Sequence, residues 1–267
     1  MTYVLLACLL LLSVSGSAVA LAEGLSPEKV AVGFSSPVGL AFDGQGNLYV
    51  AEWGADRVTR LAPDGTRSVI TTEVASPSGL AVDLEGTLRV ASYTRGAVYR
   101  VRGAKAEVEE SGLRTPAGIS PMHDGAYYVA DRGLNQVLKI VPGGARETVL
   151  GNLKTPVGVA RFQDGRLVAA ELNGNVLGHF PNGRDVVLSR VLKQPAVGLV
   201  VLHENSVAAA DYGGTAVYRI TLDGQTTVLA DGLPSPVGLA LGPDGRLYVG
   251  CWGDGAIYAV PISPTGK

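Results

Sequence analysis

Cysteine is nearly missing from this sequence: Cys8 and Cys251 are its two examples. A chain so poor in thiols is no disulfide scaffold and cannot assemble the paired cysteines of a structural zinc module. Histidine is as sparse, with only His123, His179 and His203. Nor does one sign of charge dominate: 22 Lys and Arg stand against 24 Asp and Glu, with no run of either. That removes both the basic stripe that tracks a phosphate backbone and the acidic tail, so nucleic acid is not an expected partner. After residue 22 there is no apolar stretch that could span a bilayer, and no long helical periodicity of apolar residues.

Glycine and proline are plentiful, at 36 and 15 in 267 residues, beside 46% hydrophobic residues. That combination points to a full core built from many short strands and tight turns. The first twenty-two residues, MTYVLLACLLLLSVSGSAVALA, stand apart. An apolar run from Tyr3 to Leu12 passes into small residues ending Ala18-Val19-Ala20 or Ala20-Leu21-Ala22, either of which suits a signal peptidase. Residues 1–22 are therefore expected to be a signal peptide and the protein to be secreted or periplasmic, with no membrane span after cleavage. The rival reading is an uncleaved anchor, since the basic start is missing. Cleavage would leave Cys251 as a lone thiol.

An internal repeat governs the rest. A glycine soon after a proline occurs at Gly39, Gly79, Gly118, Gly158, Gly198 and Gly238, in steps of 40, 39, 40, 40 and 40 residues. Each unit reads as four strands. Leu40-Ala41-Phe42 is followed by the turn Asp43 to Gly46, a second strand from Asn47 to Ala51, and a third that alternates around Val58 and Arg60. The turn Pro63-Asp64-Gly65 then leads to a weaker fourth strand near Ser68 to Thr71. Four-stranded units of about forty residues are the mark of propeller blades. The expected fold is all-β, a six-bladed β-propeller of four-stranded antiparallel blades starting near residues 36, 76, 115, 155, 194 and 235. Residues 23–267 form its single domain.

The chain ends bear on closure. Beyond Val260 stands only PISPTGK, too little for a fourth strand, whereas Lys29 to Phe34 looks like the fourth strand of the other units. The N-terminal strand is therefore expected to complete blade six, which removes an exposed edge.

The pattern Pro-x-Gly, Leu-Tyr-Val-Ala-Glu/Asp, Gly, Val-x-Arg, running over residues 29 to 260, resembles the NHL repeats of six-bladed propellers. Gly242 to Val249, GPDGRLYV, is also similar to the repeats of streptogramin lyases, and the broader group includes gluconolactonases (the regucalcin-like family) and related secreted hydrolases. The resemblance is specific for the fold, because these families share the blade while differing in the site. In the gluconolactonase family it implies a divalent-metal site whose Asn and Asp ligands sit between the Pro and the Gly, with a Glu just before a Pro. Here those places hold Val38, Ser78, Ala117, Val157, Val197 and Val237, with Ser35 at the glutamate's place. Five aliphatic side chains cannot ligate a hard cation. The streptogramin lyases close with seven blades, against six here, and use His and Glu as acid and base.

Three equivalent positions recur on each blade. Thirteen residues after each glycine stand Glu52, Ser92, Asp131, Glu171, Asp211 and Cys251. The four acids form a polar rim, expected to be structural and to accept backbone N–H bonds from the neighbouring loop rather than to share an ion. Fourteen residues after it stand Trp53, Tyr93, Arg132, Leu172, Tyr212 and Trp252. In a closed ring Tyr212, Trp252, Trp53 and Tyr93 fall on four consecutive blades and make an aromatic arc, with Arg132 beyond it. Such an arc suits a small molecule, a glycan or a protein partner, or else packs between blades. Twenty-one residues after it come Arg60, Arg100, Lys139, His179, Arg219 and Ala259; of these Arg60, Arg100, Lys139 and Arg219 are expected on third strands near Tyr49, Arg89, Tyr128 and Ala208 on the second, with long stems over tyrosine rings.

Other constellations are weak. His123 and His203 occupy equivalent loops on the face opposite the arc, Cys251 has no histidine in its blade, and Asp43 and Asp83 suit Asx turns better than calcium. No catalytic residue and no cofactor is identified, and a divalent cation, Ca2+ or Zn2+, is left open. Two functions are in view. One is an exported module that binds a ligand or protein through Trp53, Tyr93, Arg132, Tyr212 and Trp252. The other is a gluconolactonase-like hydrolase or streptogramin-lyase-like enzyme with its site on the same face.

Overall fold

Each Pro-x-Gly motif opens the innermost strand of a sheet. Proline is tolerated as the first residue of a strand, and the apolar, largely β-branched residues after it favour extension. In the computed structural model, which describes residues 26–262, these innermost strands are Pro37–Phe42, Pro77–Val82, Pro116–Pro121, Pro156–Arg161, Pro195–His203 and Pro236–Leu241. Each pairs antiparallel with the strand that follows, and the described residues form six four-stranded sheets. Each innermost strand packs beside the next, and Pro236–Leu241 packs beside Pro37–Phe42, so the sheets are the blades of a closed six-bladed β-propeller. Five blades take their strands in chain order; in the sixth, Glu28–Ala31 pairs antiparallel with Ala256–Val260 and supplies the outer strand. The segment expected to be a signal peptide, residues 1–22, lies outside the described residues.

The repeated spacing of glycine has a steric cause. A Cβ built on Gly39 would lie 2.1 Å from the carbonyl oxygen of Ser78, on Gly79 2.2 Å from that of Ala117, and on Gly238 2.3 Å from that of Val38. Innermost strands of neighbouring blades thus approach too closely for any side chain. The contact from Gly238 back to Val38 is the same one that Gly39 and Gly79 make with their neighbouring blades.

Between blades the second strands bury alternate side chains in apolar clusters; Ala51, Val58, Leu80 and Val90 join blades one and two, and Val207, Ala209, Val168 and Val176 join blades four and five. The strand-linking turns are closed by aspartates: Asp43 Oδ1 accepts the N–H groups of Gln45 and Asn47, each at 2.9 Å. One ionic cluster is buried between blades. Arg89, 4% exposed, donates to Asp83 at 2.7 Å and to Glu109 at 2.6 Å, with its guanidinium 5.0 Å from the centroid of the Tyr127 ring.

The register places Arg60 opposite Tyr49, Arg100 opposite Arg89, Lys139 opposite Tyr128 and Arg219 opposite Ala208. The cation–ring contacts fall on other pairs: some stay within a blade, as Lys29 over Tyr258 and Arg246 over Tyr248, and others, Arg67 over Phe34, Arg89 over Tyr127 and Arg132 beside Tyr93, cross between adjacent blades. Pairing within one sheet does not encode the crossing pairs.

Candidate functional site

The loop face is organised by a two-step relay of hydrogen bonds. In the first step, a buried acid at the end of a second strand holds the loop that enters its own blade. Asp131 accepts the N–H groups of Arg114 and Thr115 at 2.8 and 2.9 Å, and Asp211 those of Lys193 and Gln194 at 3.1 and 2.7 Å. Glu171 accepts the N–H of Lys154 and the side-chain amide of Asn175, and Glu52 accepts the N–H of Ser35 at 2.8 Å. Glu52 also receives two bonds from Arg57 and one from Thr59. Burial opposes its ionisation, but these donors overcome it and hold its pKa below the ordinary carboxylate value. Ser92 makes the converse bond, donating to the carbonyl of Ala75. Cys251 is buried, and loss of water pushes its thiol pKa up to about 12.

In the second step, the loop returns a carbonyl to the residue that follows the acid. Trp53, Tyr93, Arg132, Leu172 and Trp252 each donate their backbone N–H to the carbonyl of the residue before the proline: Ser36, Ser76, Thr115, Thr155 and Ser235. In blade five the donor is Gly213, to Gln194. Several of these pre-proline residues stand at positive φ, at 50° for Ser36, 45° for Ser76, 60° for Thr155 and 54° for Ser235. Such a backbone is unusual for serine and rarer for threonine; it occurs in blades one and four, whose loops an acid holds, and equally in blades two and six, where Ser92 and Cys251 stand in the acid's place.

The side chains so placed surround one cavity of about 250 Å3. Its walls are Trp53, Tyr93, Arg132, Leu172, Tyr212 and Trp252; its floor is made of Val38, Ser78, Ala117, Val157, Val197 and Val237, the residues between Pro and Gly. The aromatics meet in two edge-to-face pairs, Trp53 with Tyr93 at 4.9 Å and Tyr212 with Trp252 at 5.4 Å between centroids. Trp53 and Trp252 pack partly against the apolar core, so they serve inter-blade packing and the cavity wall together. Tyr212 is exposed. Arg132 donates to the Tyr93 hydroxyl at 2.7 Å, and its guanidinium lies 5.8 Å from that ring's centroid. The indole N–H of Trp252 is buried without an acceptor.

The rim acids Glu52, Asp131, Glu171 and Asp211 are buried in the loop bonds rather than on the cavity wall. Ser78 directs its hydroxyl to backbone carbonyls of Ala91, Pro116 and Ala117 at 3.0 to 3.3 Å. Among the described residues no three His, Cys, Asp or Glu side chains converge as a metal-binding group. His179 pairs with Asp185 at 2.6 Å on the outer strands, and His123 lines a shallow depression on the opposite face. At that opposite end, the channel opens into a second cavity of about 340 Å3 that includes Phe42, Val82, Arg161 and Val201. Three things escaped the sequence: the short 3-10 turn Trp53–Ala55, the strained pre-proline residues, and the bond from Arg132 to Tyr93.

No protein-family model and no curated protein sequence matches the chain. Solved structures do. A gluconolactonase from Xanthomonas campestris superposes with a TM-score of 0.75 at 18% identity, over 92% of this chain and 97% of its own. A streptogramin B lyase gives 0.68 at 14% identity, over 89% and 97%, and a nidogen propeller solved in complex with laminin gives 0.64 at 21% identity, over 72% and 79%. At these identities the likeness is one of architecture: the chain is a six-bladed β-propeller of the kind built by gluconolactonases and similar to that of streptogramin lyases.

Proposed function

We propose that this propeller, residues 23–267, is an exported binding module that takes a small apolar ligand in the loop-face cavity walled by Trp53, Tyr93, Arg132, Tyr212 and Trp252. One observation carries the reading: both tryptophans, two tyrosines and a single arginine line one mainly apolar cavity held open by hydrogen-bonded loops. Propellers of this architecture include enzymes and a protein solved in complex with laminin, so the fold supports either class and the site must decide. The residues at this channel mouth do not fit the divalent ion of a gluconolactonase-type site. Five aliphatic side chains stand where ligands would be needed, Ser78 is turned to backbone carbonyls, and the four acids are engaged with loop N–H groups.

Native mass spectrometry of the protein purified from its own host, with and without a chelator, tests the reading. A retained organic molecule that survives chelation and is lost in the Trp53→Ala/Trp252→Ala variant is the expected result. A divalent ion removed by the chelator together with a hydrolytic activity would replace the module with the enzyme.

A further inference from the structure

Charge is distributed unevenly around this cavity. Arg132 is the one charged residue on its wall. Its guanidinium gives one bond to the Tyr93 hydroxyl, and among the described residues it makes no ion pair. Its remaining donors face a site whose nearby carboxylates, Asp131 and Glu171, are committed to backbone amides. The loops beside it extend the same sign: Arg114, Lys154 and Lys193 occupy equivalent places two residues before the prolines of blades three, four and five, and all three are exposed. Asp231, whose pKa Lys193 helps to lower, is itself held by Thr215 and Gly232. The aromatics of blades five, six, one and two make up the other side of the rim.

We infer that the ligand is an apolar molecule of one or two rings carrying a single anionic group, its apolar part against Trp53, Tyr212 and Trp252 and its anion on Arg132. The inference deepens the binding reading and rests on it. A cavity of about 250 Å3 falls just below the range of about 300 to 1,000 Å3 usual for drug-sized ligands, which limits the ring count. An apolar cation would meet Arg132 with no acid to receive it. A glycan would need many hydrogen-bond partners on a wall whose Ser78 hydroxyl is already taken. An anion, in contrast, gains a guanidinium pre-oriented by Tyr93 and is drawn in by the basic half of the rim.

Matched probes test this: 4-phenylbutyrate and 4-phenylbutan-1-ol, which differ at the charged end. Both tryptophans of the chain line the cavity, so their emission reports binding. The acid is expected to bind about ten-fold more tightly than the alcohol, and added salt should weaken the acid alone. Arg132→Gln should abolish the preference by weakening the acid more than the alcohol, and Arg132→Lys should retain part of it. Lys154→Gln, remote from the packing of Tyr93, should flatten the salt dependence without altering the alcohol. Equal affinity for the two probes in the wild type, or equal weakening of both by Arg132→Gln, would overturn the anion assignment while sparing the cavity. Silence of the tryptophan emission towards both probes would overturn the binding reading and this inference with it.

Discussion

Replacing Gly238 with alanine places a methyl group 2.3 Å from the carbonyl oxygen of Val38 and 3.1 Å from Leu40 Cγ. The first of these is about 1 Å inside ordinary contact, and the obstructing atom is backbone, held in the sheet of blade one, so it cannot swing aside. Blades six and one must part along their innermost strands. Overpacking of this kind costs about 1 to 3 kcal/mol, and a clash with fixed backbone belongs at the upper end. For a protein of this size that lowers Tm by roughly 6 to 12 °C. The repeat supplies internal standards. Gly39→Ala and Gly79→Ala meet carbonyl oxygens at 2.1 and 2.2 Å and should be as severe, whereas Gly118→Ala and Gly158→Ala, with their nearest carbonyl oxygens at 2.9 and 3.2 Å, should be the mildest of the six. Gly44→Ala, in an exposed turn with nothing within 4 Å, is the control. Thermal unfolding followed by circular dichroism reads the series. If Gly238→Ala unfolds with the Gly44→Ala control while Gly39→Ala and Gly79→Ala do not, blades six and one are not in the contact that seals the ring.

Further predictions concern the buried polar groups. Arg89→Ala strands the buried carboxylates of Asp83 and Glu109 and should cost about 3 to 5 kcal/mol in urea unfolding; a loss under about 1 kcal/mol would mean that water reaches the cluster. Glu52 has a depressed pKa, so its ionised form stabilises the fold above the ordinary carboxyl range, and that contribution is lost as pH falls through its folded value. Glu52→Gln should therefore be less stable than wild type at neutral pH, with the gap closing in acid; a pH-independent gap would assign the effect to packing. Cys251, with its thiol pKa near 12 and no exposure, should ignore a disulfide reagent at mildly alkaline pH in a Cys8→Ser background and react on unfolding. Prompt reaction in the folded protein would show that blade six opens locally.

The forty-residue spacing of Pro-x-Gly was enough to read the blade count, because a repeated sheet unit without insertions has few ways to bury both faces except against copies of itself. The six positions fourteen residues after each glycine could be named for the same reason. What surrounds them could not. That Trp53 meets Tyr93 edge to face, that Arg132 is tied to the Tyr93 hydroxyl, and that Ser36 or Thr155 takes a positive φ all depend on distances between blades or on the path of the loops that enter them. Counting along one chain measures none of these. The cation–ring pairs show the same limit: the register within each sheet followed from the repeat, while Arg67 over Phe34 and Arg89 over Tyr127 cross from one blade to the next.

Crystals soaked with a set of small aromatic acids and alcohols would test the functional reading most directly, since the channel offers a cavity at either end. Bound density should gather in the loop-face cavity against Trp53, Tyr212 and Trp252, with the acid groups on Arg132. Density gathered instead in the opposite mouth beside Phe42 and Arg161, or spread over the surface with none between the tryptophans, would contradict it.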